Sequence, residues 1–167
     1  MCGIELFMWG ESVRFKKIKI TSEKKIMMLF EKQSKSKAWD EYSLTCSEEA
    51  RPEFYAAMQS LNKHVIEMCE LPDDYIERIT VRGVSFSYAG MDDVMGATIS
   101  AGMRLDDSYT QLNLNTPHKA SDSYSGQDPD PMQVLDDKCV EALDRLCEEA
   151  ELYIDGDRAQ MQLFGAA

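Results

Sequence analysis

Residues 79–105 have the sequence ITVRGVSFSYAGMDDVMGATISAGMRL, in which apolar side chains alternate with small or polar ones on either side of a turn at 89–93. The apolar positions are Val84, Phe86 and Tyr88 before the turn and Ala97, Ile99, Ala101 and Met103 after it. Because successive side chains of a β-strand point to opposite faces, this alternation predicts two strands that each turn one apolar face to a core. The short glycine-containing turn predicts that they form an antiparallel hairpin.

The chain before this hairpin carries three further strand patterns and then a helix pattern. The strand patterns lie at 13–20, 26–30 and 39–46. Residues 31–38 are predicted to be a polar loop. The helix is predicted to begin near Pro52 and to end at Leu71. Its apolar stripe comprises Phe54, Met58, Leu61, Val65 and Met68, and this four-three spacing places one apolar side on the core.

The chain after the hairpin repeats the order of strand and helix. A short strand is predicted at 111–115, and the Ser-, Asp- and Pro-rich residues 116–131 are predicted to form a long exposed loop. A last helix is predicted to start near Pro131 and to stop at Gly156. Its inner stripe comprises Leu135, Cys139, Ala142, Leu146 and Tyr153.

These patterns predict an α+β fold, namely an antiparallel sheet of about six strands with two helices packed on it, in the order βββα-βββα. We expect a single domain over residues 1–157, which suits the length of the chain. Residues 158–167 follow the helix stop and are predicted to be a flexible C-terminal tail.

The composition indicates an acidic protein with reduced thiols. The chain has 167 residues and a net charge of −12, with nine Lys/Arg against four Asp/Glu in residues 1–38 and nine against 26 in residues 39–167. The five cysteines are an odd number without C-x-x-C spacing, which favours a reducing compartment over a disulfide framework. The first residues lack a signal-peptide pattern, and no apolar run reaches the ~20 residues of a membrane span. We therefore expect a cytoplasmic protein with no membrane partner.

Acidic residues concentrate on the predicted last helix. They are Asp136, Asp137, Glu141, Asp144, Glu148, Glu149 and Glu151. An acidic surface is repelled by nucleic acid and attracts basic protein surfaces. One hypothesis is that these carboxylates imitate a phosphate backbone and bind a partner that has a basic nucleic-acid-binding surface. The alternative is that the acidity serves only solubility.

The whole chain, through residues 79–116 and 148–164, resembles small acidic proteins of bacteriophages and mobile elements. Together with the acidic surface, this resemblance leads to the first hypothesis, a non-enzymatic interaction protein that binds and inhibits a host or phage factor, such as a defence nuclease or a protein of DNA metabolism.

The C-terminal segment suggests a second hypothesis. Residues 160–164, with the sequence QMQLF, resemble the pentapeptide by which bacterial proteins bind the replicative sliding clamp, except at Gln162. The resemblance implies that Gln160 hydrogen-bonds a pocket rim, that Met161 enters a small pocket, and that Leu163 and Phe164 fill a larger one. The chain would then be a clamp-tethered accessory of replication or recombination, with the basic residues 13–25 touching DNA. The alternative is that these apolar residues fold back on the domain.

The N-terminal residues suggest an enzymatic alternative. Met1, Cys2, Gly3 and Ile4 resemble the start of class II glutamine amidotransferases, which implies a Cys2 nucleophile activated by its own α-amino group. The family's downstream glutamine-binding motifs are not evident, so the non-enzymatic hypothesis is preferred.

The sequence predicts neither a cofactor nor a metal site. His64 and Cys69 are five residues apart and do not share a helix face. Asp92, Asp93, Asp106 and Asp107 fall in turns at opposite ends of the hairpin. The glycines Gly83, Gly90, Gly96 and Gly102 are isolated, and none opens a helix as a phosphate-binding loop requires.

Overall fold

The computed structural model describes residues 12–123, 128 and 130–159. Its elements are β1 (Val13–Ile20), β2 (Ile26–Gln33), β3 (Trp39–Cys46), α1 (Pro52–Gln59), α2 (Asn62–Met68), a 3-10 helix (Asp73–Arg78), β4 (Ile79–Ala89), β5 (Val94–Met103), β6 (Leu112–Asn115), β7 (Lys119–Ala120) and α3 (Asp137–Ile154). The predicted α+β class is confirmed. No helix in these ranges combines the length and the apolar character needed to cross a membrane.

The sheet is antiparallel between all its named strand pairs, in the order β3-β2-β1-β4-β5-β6. The predicted hairpin is its centre, with Ile79 opposite Met103 and Ala89 opposite Val94. The two-residue β7 also pairs with β5, although its residues fall in the segment that was predicted to be a loop. Glu31–Gln33, likewise predicted as loop, continue β2 because each has a partner on β3.

Two irregularities set which side chains reach the core. The pairing of β4 with β5 shifts between Val81 and Gly83, so a β-bulge at Arg82 places both Val81 and Val84 on the buried face. The pairing of β1 with β2 shifts in the same way between Phe15 and Lys17. This shift explains why Phe15 and Ile18, three residues apart, are both buried.

The first predicted helix is two helices. Its apolar stripe is buried as expected at Phe54, Met58, Leu61 and Val65, but helical bonding is interrupted between α1 and α2. At the break, the Ser60 hydroxyl donates to the carbonyl oxygen of Ala57 at 2.7 Å. A serine that bonds back to its own helix in this way bends it. The described part of the chain therefore has three α-helices where the sequence predicted two.

The second predicted helix starts later than expected. It begins at Asp137, and the Asp136 side chain caps it by accepting a hydrogen bond from the Cys139 backbone N–H at 2.7 Å. Gly156 follows its end with φ of +99°, the conformation that commonly terminates a helix. All five residues of the predicted inner stripe are buried, although Leu135 lies just before α3 begins.

The helices pack on one face of the sheet and share a single core with it. Phe54 of α1 lies 6.3 Å, ring to ring, from Tyr153 of α3, and both side chains are fully buried. The Tyr153 hydroxyl donates to the carbonyl oxygen of Glu48 at 2.6 Å. This bond satisfies a polar atom that the core would otherwise leave unpaired.

The first two residues of the predicted tail lie against the domain. The Arg158 guanidinium lies 4.2 Å above the Tyr153 ring and reaches the Glu48 carboxylate at 2.7 Å. The Ala159 N–H donates to the Glu49 carbonyl oxygen at 3.0 Å. The remainder of the predicted tail, residues 160–167, lies outside the described residues.

Candidate functional site

A line of carboxylates runs along the outward side of α3. Its members, all exposed, are Asp137, Glu141, Asp144, Glu148 and Glu151, and Asp155 continues it just past the helix end. Their four-three spacing places them on one side of the helix. That side is opposite the buried stripe, because five of its buried residues each follow an acidic residue by two positions, or about 200° of rotation. They are Cys139, Leu143, Leu146, Ala150 and Tyr153. We call these six residues the acidic line.

In the part of the chain that the structure describes, the acidic line concentrates negative charge that no ion pair offsets. Among residues 12–123 and 130–159, none of the six forms an ion pair with a Lys, Arg or His. Partial burial raises the pKa of Asp144, and the charges of Glu148 and Glu141 raise it further. Partial burial likewise raises the pKa of Glu151, with Asp155 and Glu148 adding to the effect. An approaching cationic surface would relieve this repulsion.

The structure separates two of the predicted acidic residues from the others. The Glu149 side chain is 14% exposed and lies beside Arg51, at 3.9 Å from Oε1 to Nε. Asp136 is the helix cap and faces a cavity beside α2. Asp137, Glu141, Asp144 and Glu148 do share the acidic line.

The sheet face opposite the helices carries a basic groove of about 350 Å³. The charged and polar residues that line it are Lys17, Lys19, Arg82, Ser85, Ser100, Asn113 and Asn115. Lys17 is directly opposite Ser85, and Lys19 is opposite Gly83. Both lysines lie on the face away from the core, because Ile18 between them is buried. We call this the basic groove.

Only part of the predicted basic segment 13–25 is available to a ligand in this groove. Arg14 binds Glu31 at 2.8 Å and stacks on Trp39 at 4.0 Å. Lys16 binds Glu41 at 3.0 Å, and this hydrogen bond raises the pKa of the lysine. Lys17 and Lys19 are the two lysines of this segment that line the groove.

Arg82, which no sequence pattern identified, supplies the third cation of the groove. Its guanidinium donates to Asn113 Oδ1 at 2.8 Å and to Gln111 Oε1 at 2.6 Å. It lies across Gly102, where a Cβ would collide with it. The sequence feature that could have identified it is an arginine in the middle of a strand of otherwise apolar and small residues.

A cavity of about 420 Å³ lies between α2 and the start of α3. Among the residues lining it, one ring nitrogen of His64 and one carboxylate oxygen each of Glu67 and Asp136 lie within 4.8 Å of one another. His64 is 3% exposed, and its Nε2 has no hydrogen-bond partner in the described part of the chain. Burial lowers the pKa of His64, which favours the neutral imidazole that can bind a cation.

The cavity also contains groups that do not join this trio. Burial raises the pKa of the Cys139 thiol to about 12, so the thiol is protonated at neutral pH. The Lys119 ammonium donates to the Pro131 carbonyl oxygen at 3.1 Å. The sequence did not predict this cluster, because its members are His64, Glu67 and Asp136 rather than the pair His64 and Cys69. The signal that could have found half of it is the three-residue spacing of His64 and Glu67, which puts them on one helix side.

The polar residues at the exit of β6 are hydrogen-bonded within the fold. Thr116 Oγ1 accepts from the Ile99 backbone N–H at 2.9 Å, and the Ser100 hydroxyl donates to Asn115 Oδ1 at 2.8 Å. His118 Nε2 lies 2.7 Å from the Ser87 hydroxyl. In this structure these side chains hydrogen-bond to the adjoining strands and stabilise the turn that follows β6.

Two of the functional hypotheses rest on residues outside the described ranges. They are the clamp-binding peptide, with Gln160, Met161, Leu163 and Phe164, and the amidotransferase nucleophile Cys2. Comparisons of the chain with protein-family models, with curated proteins and with solved structures find no match.

Proposed function

We propose that this chain is a non-enzymatic interaction protein whose acidic line occupies the basic, nucleic-acid-binding surface of another protein. The observation that carries the proposal is the line itself, six carboxylates on one helix side, none of which forms an ion pair with another described residue. The partner would use this surface to bind the phosphates of nucleic acid. Binding of α3 there would therefore inhibit the partner. The resemblance to small acidic phage proteins favours a host nuclease or a DNA-metabolism factor as that partner.

The spacing of the charges suits this role. Side chains that recur every three or four residues of a helix are about 5.4 Å apart along its axis. Phosphates of one DNA strand rise about 3.4 Å each. The acidic line therefore presents roughly two charges for every three phosphates of a strand. A rigid helix also presents them without the ordering cost of a flexible acidic loop.

The proposal predicts binding that weakens with salt and competes with DNA. Proteins captured from a bacterial lysate would be compared between the wild-type chain and the triple variant E141Q/D144N/E148Q. The matched control is D73N/D74N/E77Q, which removes the same charge from exposed positions of the 3-10 helix.

We expect partners that the control retains and the acidic-line variant loses, and that duplex DNA or moderate salt releases. Partners that bind all three proteins alike, or that stay bound at high salt in the presence of DNA, would contradict the proposal.

The basic groove supports a second candidate, in which the chain itself contacts a polyanion such as single-stranded DNA. Three cations surround hydroxyl and amide groups there, and no carboxylate lines the groove within the described residues. Fluorescence anisotropy with a labelled oligonucleotide would test it. K17Q/K19Q should abolish salt-sensitive binding, whereas K35Q/K37Q, at an exposed turn, should preserve it. Equal affinities of the two variants would reject this candidate.

A further inference from the structure

The cavity between α2 and α3 brings together three side chains that commonly bind metals. His64 and Glu67 lie three residues apart on α2, so they project from the same side of that helix. Asp136 comes from a distant part of the chain. The three ligand atoms, one nitrogen and two carboxylate oxygens, lie within 4.8 Å of one another. This cluster is independent of the acidic line.

Each of the three residues is placed so that it can still bind a ligand. Asp136 uses Oδ1 to cap α3, and its second carboxylate oxygen retains free lone pairs. His64 is held by the core, because its neighbours Val65 and Ile66 are buried. Glu67 is exposed, so its carboxylate can move by a side-chain rotation while the other two residues stay fixed.

The buried imidazole is the observation that points to a ligand. A polar atom buried to this degree is normally hydrogen-bonded to protein or to a bound group. His64 Nε2 has no such partner among the described residues, although the side chain is 3% exposed and lines the cavity. Hydration by solvent explains why exposed carboxylates such as Glu67 need no partner, but it does not explain a buried histidine nitrogen without one.

We propose that His64, Glu67 and Asp136 form a binding site for a divalent transition-metal cation of the Zn²⁺ class. One imidazole and two carboxylates are a donor set suited to Zn²⁺, Co²⁺ or Mn²⁺, whereas Ca²⁺ takes six to eight oxygen ligands. The two carboxylates balance the charge of the ion. Three protein ligands leave a coordination position open to water in the cavity.

Closing the site around an ion requires a small movement. Ligands bonded at about 2.1 Å in a tetrahedral zinc site are about 3.4 Å apart. The present atoms lie within 4.8 Å of one another, and rotation of the exposed Glu67 side chain can bring its carboxylate nearer. The nearby ammonium of Lys119 is directed to the Pro131 carbonyl oxygen.

Isothermal titration of the full chain with Zn²⁺ tests the proposal, and we expect one ion per chain. Asp136→Asn removes a ligand charge but keeps a residue that caps a helix as well as aspartate does. Glu67→Gln changes an exposed side chain. Each should weaken the affinity by at least about tenfold, the scale on which metal sites respond to loss of supporting groups.

The matched control is Asp137→Asn, which removes the same charge from the same cavity wall but not from the trio. Its affinity for Zn²⁺ should stay close to that of the wild type. Thermal unfolding without metal would verify that all three variants are folded. Equal weakening by Asp137→Asn, or no saturable binding by the wild type, would overturn the site.

The absorption spectrum of the Co²⁺ complex separates this site from adventitious binding to cysteines. Nitrogen and oxygen ligands give only weak visible bands, and this spectrum is expected. Intense sulfur-to-cobalt charge-transfer bands in the near ultraviolet would assign the ion to thiols and would refute the proposal.

Discussion

The outward side of α3 and the open face of the sheet carry opposite charges, and they acquire them in different ways. The acidic line arises from one helix, so its members are fixed by a local period of 3.6 residues. The basic groove gathers Lys17, Lys19 and Arg82 from two strands, and its shape depends on strand register and on a bulge. Charge placed by a helix is thus insensitive to sheet geometry, whereas charge placed across strands changes with it.

The largest effect on the free energy of unfolding is expected from a substitution on the buried side of α3. Leu146 is fully buried, so Leu146→Ala should lower the free energy of unfolding by about 3 kcal/mol through lost burial and the cavity it leaves. Glu148→Ala, on the outward side of the same helix, should change it by less than about 0.5 kcal/mol. Urea denaturation measures both. Similar losses for the two variants would mean that the two sides of α3 do not differ as described.

A smaller effect should separate two glycines on the open face of the sheet. A Cβ on Gly83 would lie 2.7 Å from the Ile18 carbonyl oxygen, a backbone atom of the neighbouring strand. Gly83→Ala should therefore force β1 and β4 apart and cost about 1–3 kcal/mol of unfolding free energy.

The matched variant is Gly102→Ala. There the colliding atoms are the ends of the Arg82 and Gln111 side chains, which can rotate away, and alanine suits a strand better than glycine. We expect a change in stability below about 1 kcal/mol but a displaced Arg82 and weaker binding of any polyanion in the groove. Thermal unfolding and anisotropy would measure the two effects. Greater destabilisation by Gly102→Ala than by Gly83→Ala would contradict this account of the face.

The contrast between features set by local sequence and features set by long-range contacts explains which parts of the fold the sequence predicts. The hairpin, the α+β class and the acidic side of α3 follow from alternation and helical period, which are local. The break after Ser60 and the late start of α3 depend on single side-chain hydrogen bonds that no period reveals. Residues 116–131 resembled a loop because a two-residue strand such as β7 has no pattern of its own.

The candidate sites divide in the same way. Asp137, Glu141, Asp144 and Glu148 were predicted to act together because one helix carries them. Asp136 was assigned to the same surface, but it faces the cavity because it precedes the first turn of α3. Its proximity to His64 is created by tertiary packing between two helices far apart in the chain. Arg82 reaches the basic groove from a bulge, which a regular alternation does not anticipate.

The smallest effect concerns the repulsion along the acidic line, and its sign follows from the raised pKa of Asp144. The folded state keeps this carboxyl protonated at a pH where the unfolded chain has already lost the proton. The resulting destabilisation is complete above the raised pKa and disappears as the pH falls below the ordinary value of about 3.9. Asp144→Asn should therefore stabilise the fold slightly at pH 7, by less than about 0.5 kcal/mol because the site is exposed. The gain should shrink as the pH is lowered towards 4, and thermal unfolding across this range would measure it.

Asp73→Asn, an exposed change outside the line, is the control. If both variants gave the same gain with the same pH dependence, net charge alone would explain the effect, and the line would have no concentrated field to offer a partner.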